Sequence, residues 1–305
     1  MPDSTCTLQT CPLSAAMITY IPTLPGNALY LALFALMLVA QVVLGIYYHF
    51  WSYLIAMSCG LVLEVLGYVG RLQLHNNPFD FDAFLLYLIP LTIGPAFFSA
   101  AIYICFGRIV LIYDARLSRL KPRAYTGIFV ACDVVCLILQ AAGGAITSVA
   151  DDDQRSLRDT GVNIMIAGLA VQVASLAAFM VLCADYMWRL RRASRGGDRM
   201  TLGRDRVRDT LTWKCFLWGL AIATIGIFIR SIFRVAELQG GFDSKLANAE
   251  IPFMILEGAV MTVSCGCLTV FHPRFCFRQW KKGDEDGKSV DSRMGIGMLS
   301  VTGNK

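Results

Sequence analysis

The sequence predicts an all-α, polytopic membrane protein, a seven-transmembrane-helix bundle with its N-terminus outside and its C-terminus in the cytosol. Three observations predict it. Of 305 residues, 56% are hydrophobic and only 16% are charged, against about 25% charged in an ordinary soluble domain. The apolar residues fall into long blocks, close to the roughly 17–25 residues that carry a helix across the hydrocarbon layer. Lysine and arginine crowd into alternate connections between those blocks, the pattern that cytosolic loops follow.

The blocks place helices over 27–48, 51–70, 84–112, 126–149, 162–188, 211–236 and 250–271. They are too long, and alternate too little, for barrel strands. In lipid only helices and closed barrels satisfy every backbone group, so helices remain. Residues 1–26 lack the basic stretch of a signal peptide and form an extracellular N-terminal tail, 27–271 the membrane domain, and 272–305 a basic cytosolic tail. Cys6 and Cys11 lie in the first of these segments, where a local disulfide is chemically permitted. Cysteines inside the helices, such as Cys59, Cys105 and Cys136, serve as small apolar residues.

Orientation follows from charge. Arg116, Arg119, Lys121 and Arg123 fill the third connection, and Arg189, Arg191, Arg192, Arg195, Arg199, Arg204, Arg206 and Arg208 fill the fifth. Arg274, Arg278, Lys281 and Lys282 follow the last helix, whereas the opposite side shows only Arg71, Arg155, Arg158 and Lys245. The basic loop 189–208 also suits anionic lipid headgroups, at about 1 kcal/mol per basic residue near the surface. No aromatic residues are interleaved with its arginines, so nucleic acid is not expected as a partner.

Ionisable residues within the helices carry most of the functional information. Each costs about 2.5–3.5 kcal/mol at the bilayer centre and so faces a bundle interior. Glu64, Tyr68 and Arg71 stand at spacing i, i+4, i+7 on the second helix, as do Arg230, Arg234 and Glu237 on the sixth, which puts each set on one face. Tyr103 is on the third helix, Asp133 and Gln140 on the fourth, Gln172 on the fifth, and Glu250 and Glu257 on the seventh. Under the topology above, Glu64, Arg71, Gln172, Arg230, Arg234, Glu237, Glu250 and Glu257 line an outward-facing polar vestibule. Arg108, Asp133 and Asp185 form a sparser inner layer. Two readings stay open: Glu64 or Glu257 pairs with Arg230 or Arg234 to lock helices together, or one of the acids contacts a substrate. Pro90 and Pro95 interrupt the third helix and predict a kink, serving close packing or acting as a hinge.

Catalytic signatures are missing. His49, His75 and His272 are scattered over loops and helix ends and predict no metal site. The last helix has no lysine for a retinal Schiff base, and the segment 283–289 imitates a phosphate loop with its glycines one residue too close. No catalytic residue and no cofactor is expected. A seven-helix receptor or sensor of lipids or stress is the rival reading, weakened by the absence of Asp-Arg-Tyr after the third helix and of Asn-Pro-x-x-Tyr in the last.

Five segments and a terminal tripeptide carry a family resemblance: EVLGYVGR from Glu64, GPAFFSAAIYICFGRIV containing Pro95 and Tyr103, FVACDVVCLILQAAGG containing Asp133 and Gln140, GVNIMIAGLAVQ ending at Gln172, RSIFRVAELQGG from Arg230, and FHP over Phe271 to Pro273. In this order, and over about 27–273, the chain resembles the fungal lipid-translocating exporters, a seven-helix family that includes aminocholesterol-resistance and sphingoid long-chain-base exporters. It departs from them in the seventh helix, where the family's His-Glu is Ala249-Glu250 and its mid-helix Asp is Glu257. The resemblance implies a plasma-membrane exporter or floppase of amphipathic lipids or toxic amphiphiles, partnered by membrane lipids. A cationic, sphingoid-base-like headgroup would meet Glu64, Asp133 or Glu257 while its alkyl chain stays in lipid.

Overall fold

The computed structural model describes residues 20–113, 115–149, 155–195, 211–239 and 250–273. Cys6, Cys11 and the C-terminal tail beyond Pro273 lie outside the described residues, as does the basic segment beyond Arg195. Within them are seven helices long and apolar enough to cross a membrane: α1 (Leu24–Tyr48), α2 (Trp51–Asn76), α3 (Phe81–Tyr113), α4 (Pro122–Val149), α5 (Arg155–Arg195), α6 (Leu211–Gln239) and α7 (Glu250–Val270). The described residues contain no strand. The chain is a multi-pass membrane protein.

All seven predicted helices are present, and most run past their predicted ends. α5 gains a turn or more at each end, because a helix continues into the headgroup region with polar residues once hydropathy has fallen. Between α1 and α2 the chain reverses at His49, a left-handed residue with φ 54° whose N–H caps Ile46. Each helix packs on the next in sequence and α1 meets α7, so the seven close into a ring; α3 also reaches across to α6.

The bundle is apolar outside and polar within. Leu36, Val39 and Val43 of α1, Val134, Val135 and Ile138 of α4, and Trp218, Ile222 and Ile225 of α6 are exposed, which is the face that hydrocarbon covers. Glu64, Arg71, Asp133, Arg230, Arg234 and Glu257 are all at most 3% exposed, so the ionisable side chains are sheltered inside one bundle. At the end of the bundle opposite the N-terminus, the Tyr53 hydroxyl donates to the Leu268 carbonyl at 2.7 Å, and the Tyr48 and Tyr53 rings pack on His272. The guanidinium of Arg108 lies 4.3 Å from the Phe50 ring centre.

α7 is not a plain α-helix. Met254–Ala259 forms a π-turn, with Val260 N–H bonded to the Ile255 carbonyl, between two α-helical stretches. Such wide turns are uncommon and concentrate at functional sites. Here the turn carries Glu257. It is braced from α1, where the Tyr30 hydroxyl donates to the Met254 carbonyl at 3.0 Å. A side chain at Gly258 would run into the Tyr30 ring, so glycine is what permits this approach.

Candidate functional site

The site begins with a proline. Pro95 has no N–H to give the carbonyl four residues back, which belongs to Leu91. Arg230, on the facing side of α6, supplies the missing donor: its Nη2 bonds the Leu91 carbonyl. Its Nε donates to Glu257 Oε2 at 2.8 Å. One turn along α6, Arg234 places Nε 3.3 Å from Glu257 Oε1, donates from Nη1 to Glu237 at 2.7 Å, and donates from Nη2 to Thr92 Oγ1 at 2.7 Å. Glu257 therefore bridges two arginines. α3 provides a carbonyl, at Leu91, and a hydroxyl, at Thr92, that each accept from one of the two arginines.

This settles the pairing that the sequence left open. Glu257, not Glu64, is the acid that locks helices together. Glu64 sits beside the group, on α2, within the electrostatic reach of Arg230, Arg234 and Glu257, yet neither of its carboxylate oxygens has a hydrogen-bond partner. The α3 backbone lies close: a Cβ added at Gly94 would stand 3.2 Å from Glu64 Oε1. One turn further along α2, Tyr68 also has an unpartnered hydroxyl, and its ring stacks on Phe34 at 5.5 Å. A bare buried carboxyl next to a complete ion network can accept a cation without dismantling the network.

Arg71 shares the buried α2 face but makes its own site. Its Nε donates to Asn27 at 2.9 Å and its Nη2 to the Tyr20 hydroxyl at 3.2 Å, while its guanidinium lies 3.8 Å from the Phe253 ring centre and 5.1 Å from that of Tyr87. Glu250 is also separate. It accepts from the N–H and the hydroxyl of Thr23 at 2.6 and 2.9 Å and ties the start of α7 to the start of α1. A spacing of seven implies one shared face for Glu250 and Glu257, but the π-turn between them widens the helix and sends them to different neighbours.

The expected inner layer divides in the same way. Asp133 is buried on α4 with both oxygens unpartnered. It faces Tyr103 of α3, whose hydroxyl also completes no hydrogen bond of good geometry and whose ring packs on Phe179 at 4.6 Å and Phe129 at 5.4 Å. Gln140 Nε2 donates to Gln172 Oε1 at 2.9 Å, a neutral tie between α4 and α5. Asp185 belongs to the surface: Arg119 and Arg189 each hold it at 2.9 Å. The hydrogen bond that Arg119 donates to Asp185 holds its guanidinium above the ordinary arginine range.

The residues expected to line one outward-facing vestibule are instead buried, Glu64 and Glu257 at 0% exposure and Arg230 at 2%, and Arg71, Gln172 and Glu250 make separate contacts. Sequence reasoning missed four contributors. Thr92 and the Leu91 carbonyl were findable from Pro95 by counting back along α3. Asn27 is a polar residue at the mouth of an apolar block, and Gln41 is a buried polar residue within α1 whose side-chain amide has no partner.

A family model described as "RTA1 like protein" matches residues 57–280. The chain belongs to the RTA1-like family. The matched span includes Glu64, Asp133, Arg230, Arg234 and Glu257, and leaves Asn27 and Gln41 of α1 outside. Among curated relatives, the chain is 35% identical over 282 residues to "Sphingoid long-chain base transporter RSB1" of Saccharomyces cerevisiae, covering 85% of this chain and 73% of that protein. It is 26% identical over 215 residues to "Protein RTM1" of the same organism, covering 70% of this chain and 65% of that one. "Protoporphyrin uptake protein 1", also from Saccharomyces cerevisiae, is 28% identical over 203 residues, covering 66% and 62%. No solved structure matches the chain.

Proposed function

We propose that this RTA1-like protein is a plasma-membrane transporter that moves amphipathic lipids with a cationic, sphingoid-base-like headgroup across the bilayer, and that Glu64 receives the headgroup. The observation that carries the reading is the carboxyl of Glu64, wholly buried and without a hydrogen-bond partner beside arginines already ion-paired with Glu257 and Glu237. An isolated carboxylate is costly to bury, and an ammonium ion would satisfy it. The relative named as a sphingoid long-chain base transporter, similar over most of both chains, supports the same substrate class. Asp133, with Tyr103, Phe129 and Phe179 around it, is a second acidic station on α4, since ammonium ions are also attracted to aromatic faces. Tyr68, beside Glu64, adds an unpartnered hydroxyl, while Gln140 and Gln172 tie α4 to α5, and Arg71 and Glu250 fasten the helix ends near the N-terminus.

The proposed orientation puts the N-terminus outside and the C-terminus in the cytosol, supported by the lysines and arginines gathered after α3, α5 and α7. The basic loop 189–208 then lies against the anionic cytosolic leaflet. The test is transport by the purified chain in lipid vesicles, followed with a fluorescent sphingoid base. Faster movement than in empty vesicles, lost in Glu64→Gln, is the expected result. A parent protein that binds the base and leaves the rate unchanged would make the chain a lipid sensor instead.

A further inference from the structure

We infer that Glu64 is also the proton-binding site of this transporter, so that a cationic lipid and a proton compete for one carboxyl and move in opposite directions. The inference rests on the amine-transport reading above and adds its energy source.

Charge accounting points to the proton. Arg230 and Arg234 carry two positive charges, and Glu237 and Glu257, each within 2.8 Å of a guanidinium nitrogen, carry two negative ones. The network is neutral without Glu64. A third carboxylate would add an unbalanced charge at 0% exposure, with no donor on either oxygen. Buried carboxyls in that situation take up a proton. Among the described neighbours no other cation reaches Glu64: Arg71, two turns along the same face, is engaged by Asn27, Tyr20 and the Phe253 ring. α2 itself contributes Tyr68, α3 the backbone at Gly94, α6 Arg230 and Arg234, and α7 Glu257 and Cys265. From α1 come Tyr30 and Phe34, whose rings pack on Tyr68.

The exchange balances without any further reactant. With the site empty of lipid, the Glu64 carboxyl holds an O–H bond. As an ammonium headgroup arrives, that bond breaks, the proton leaves to water, and the carboxylate left behind pairs with the ammonium. One positive charge replaces another, and the two arginines keep their partners throughout. On the far side a proton displaces the lipid, so a transmembrane proton gradient drives net lipid movement.

The experiment uses the purified full-length chain in weakly buffered detergent and a sphingoid base permanently charged by N-trimethylation, which cannot itself carry a proton. Bound probe and released protons are measured together, the latter with a pH indicator. By proton linkage, release of about one proton per bound probe is expected, with at least a several-fold loss in Glu64→Gln. Asp185→Asn, which removes a surface acid held by Arg119 and Arg189, should leave the release in place. Glu64→Asp keeps a carboxyl in altered surroundings and must still release protons with a displaced pH midpoint, which tests the proposal even if the glutamine variant does not fold. Binding of the probe with no proton release overturns the coupling while leaving the transport reading intact. Absence of binding overturns both. Undiminished release from a folded Glu64→Gln, or an unshifted midpoint in Glu64→Asp, also overturns it.

Discussion

The two sides of this bundle hold together by different means. Where α3, α6 and α7 meet, the contact is made of charge: two arginines, two glutamates, a threonine hydroxyl and a carbonyl freed by Pro95. Where α4 meets α5, the contact is made of backbone. A Cβ at Gly143 would stand 2.6 Å from the Gly161 carbonyl, and one at Gly161 would stand 2.8 Å from that of Gly143, with a single neutral pair, Gln140 and Gln172, alongside. Lipid gives helices no hydrophobic reason to associate, so small residues and polar bonds are the available means. The charged side is specific in its partners and contains a carboxyl with none, whereas the Gly143–Gly161 contact is made by backbone and carries no ion. On the proposed reading, the working part of the protein lies around α2, α3, α6 and α7 with Asp133 of α4 facing α3, and the glycine contact of α4 and α5 is its support.

The most damaging way to break the contrast is to remove the shared acid. Glu257→Ala leaves Arg230 and Arg234 buried with one carboxylate between them, and breaking a buried pair in this manner costs about 3–5 kcal/mol. Unfolding in a detergent titration should show a loss of that size, or the variant should fail to accumulate as a folded protein. A change near zero would mean that water reaches the network and that the buried site described above opens freely. Glu64→Gln, which removes no hydrogen bond, should by comparison leave stability nearly unchanged, so the two acids separate a locking role from a receiving one.

On the glycine side the corresponding change adds atoms. Gly161→Ala puts a methyl group against the Gly143 carbonyl and against Thr147, and overpacking of a tight contact costs about 1–3 kcal/mol. Stability should fall by that amount in the same titration, while the proton release and probe binding assigned to Glu64 stay as they are. Coupled loss of both would show that α4 and α5 take part in the exchange instead of supporting it.

How much of this was visible in the sequence depends on which force decided it. Seven helices follow from block length alone, because a backbone in lipid has no alternative. Their ends do not, since α5 continues to Arg195 on polar residues that hydropathy marks as loop. The shared faces of Glu64, Tyr68 and Arg71, and of Arg230, Arg234 and Glu237, follow from the 3.6-residue period, and all six are buried. The choice of Glu257 over Glu64 as bridge was not legible, because spacing places both acids inward and only the packing of α2, α6 and α7 tells which one meets Arg230 and Arg234, Glu257 being carried on the π-turn. That turn is held from α1 by Tyr30 on Met254, and the start of α7 is held by Thr23 on Glu250, contacts which no reading of α7 by itself contains.

The smallest expected effect tests whether the glycine side needs its polar pair at all. Gln140 Nε2 donates to Gln172 Oε1, but Gln140 Oε1 is buried with no partner, so the pair gains one hydrogen bond and carries one desolvated acceptor. Interhelical hydrogen bonds measured by double-mutant cycles in membranes average about 0.6 kcal/mol. Each single leucine variant, Gln140→Leu or Gln172→Leu, strands the other amide and should cost more than the double variant, which strands neither. A cycle built from the four proteins should therefore give a coupling of about 0.6 kcal/mol with the double variant close to the parent in stability. If the double variant instead loses as much as the two singles together, the glutamines are acting independently of each other. The polar lining of α4 and α5 would then be serving something that passes between them, and the division of the bundle into a working side and a supporting side would have to be redrawn at Gln140.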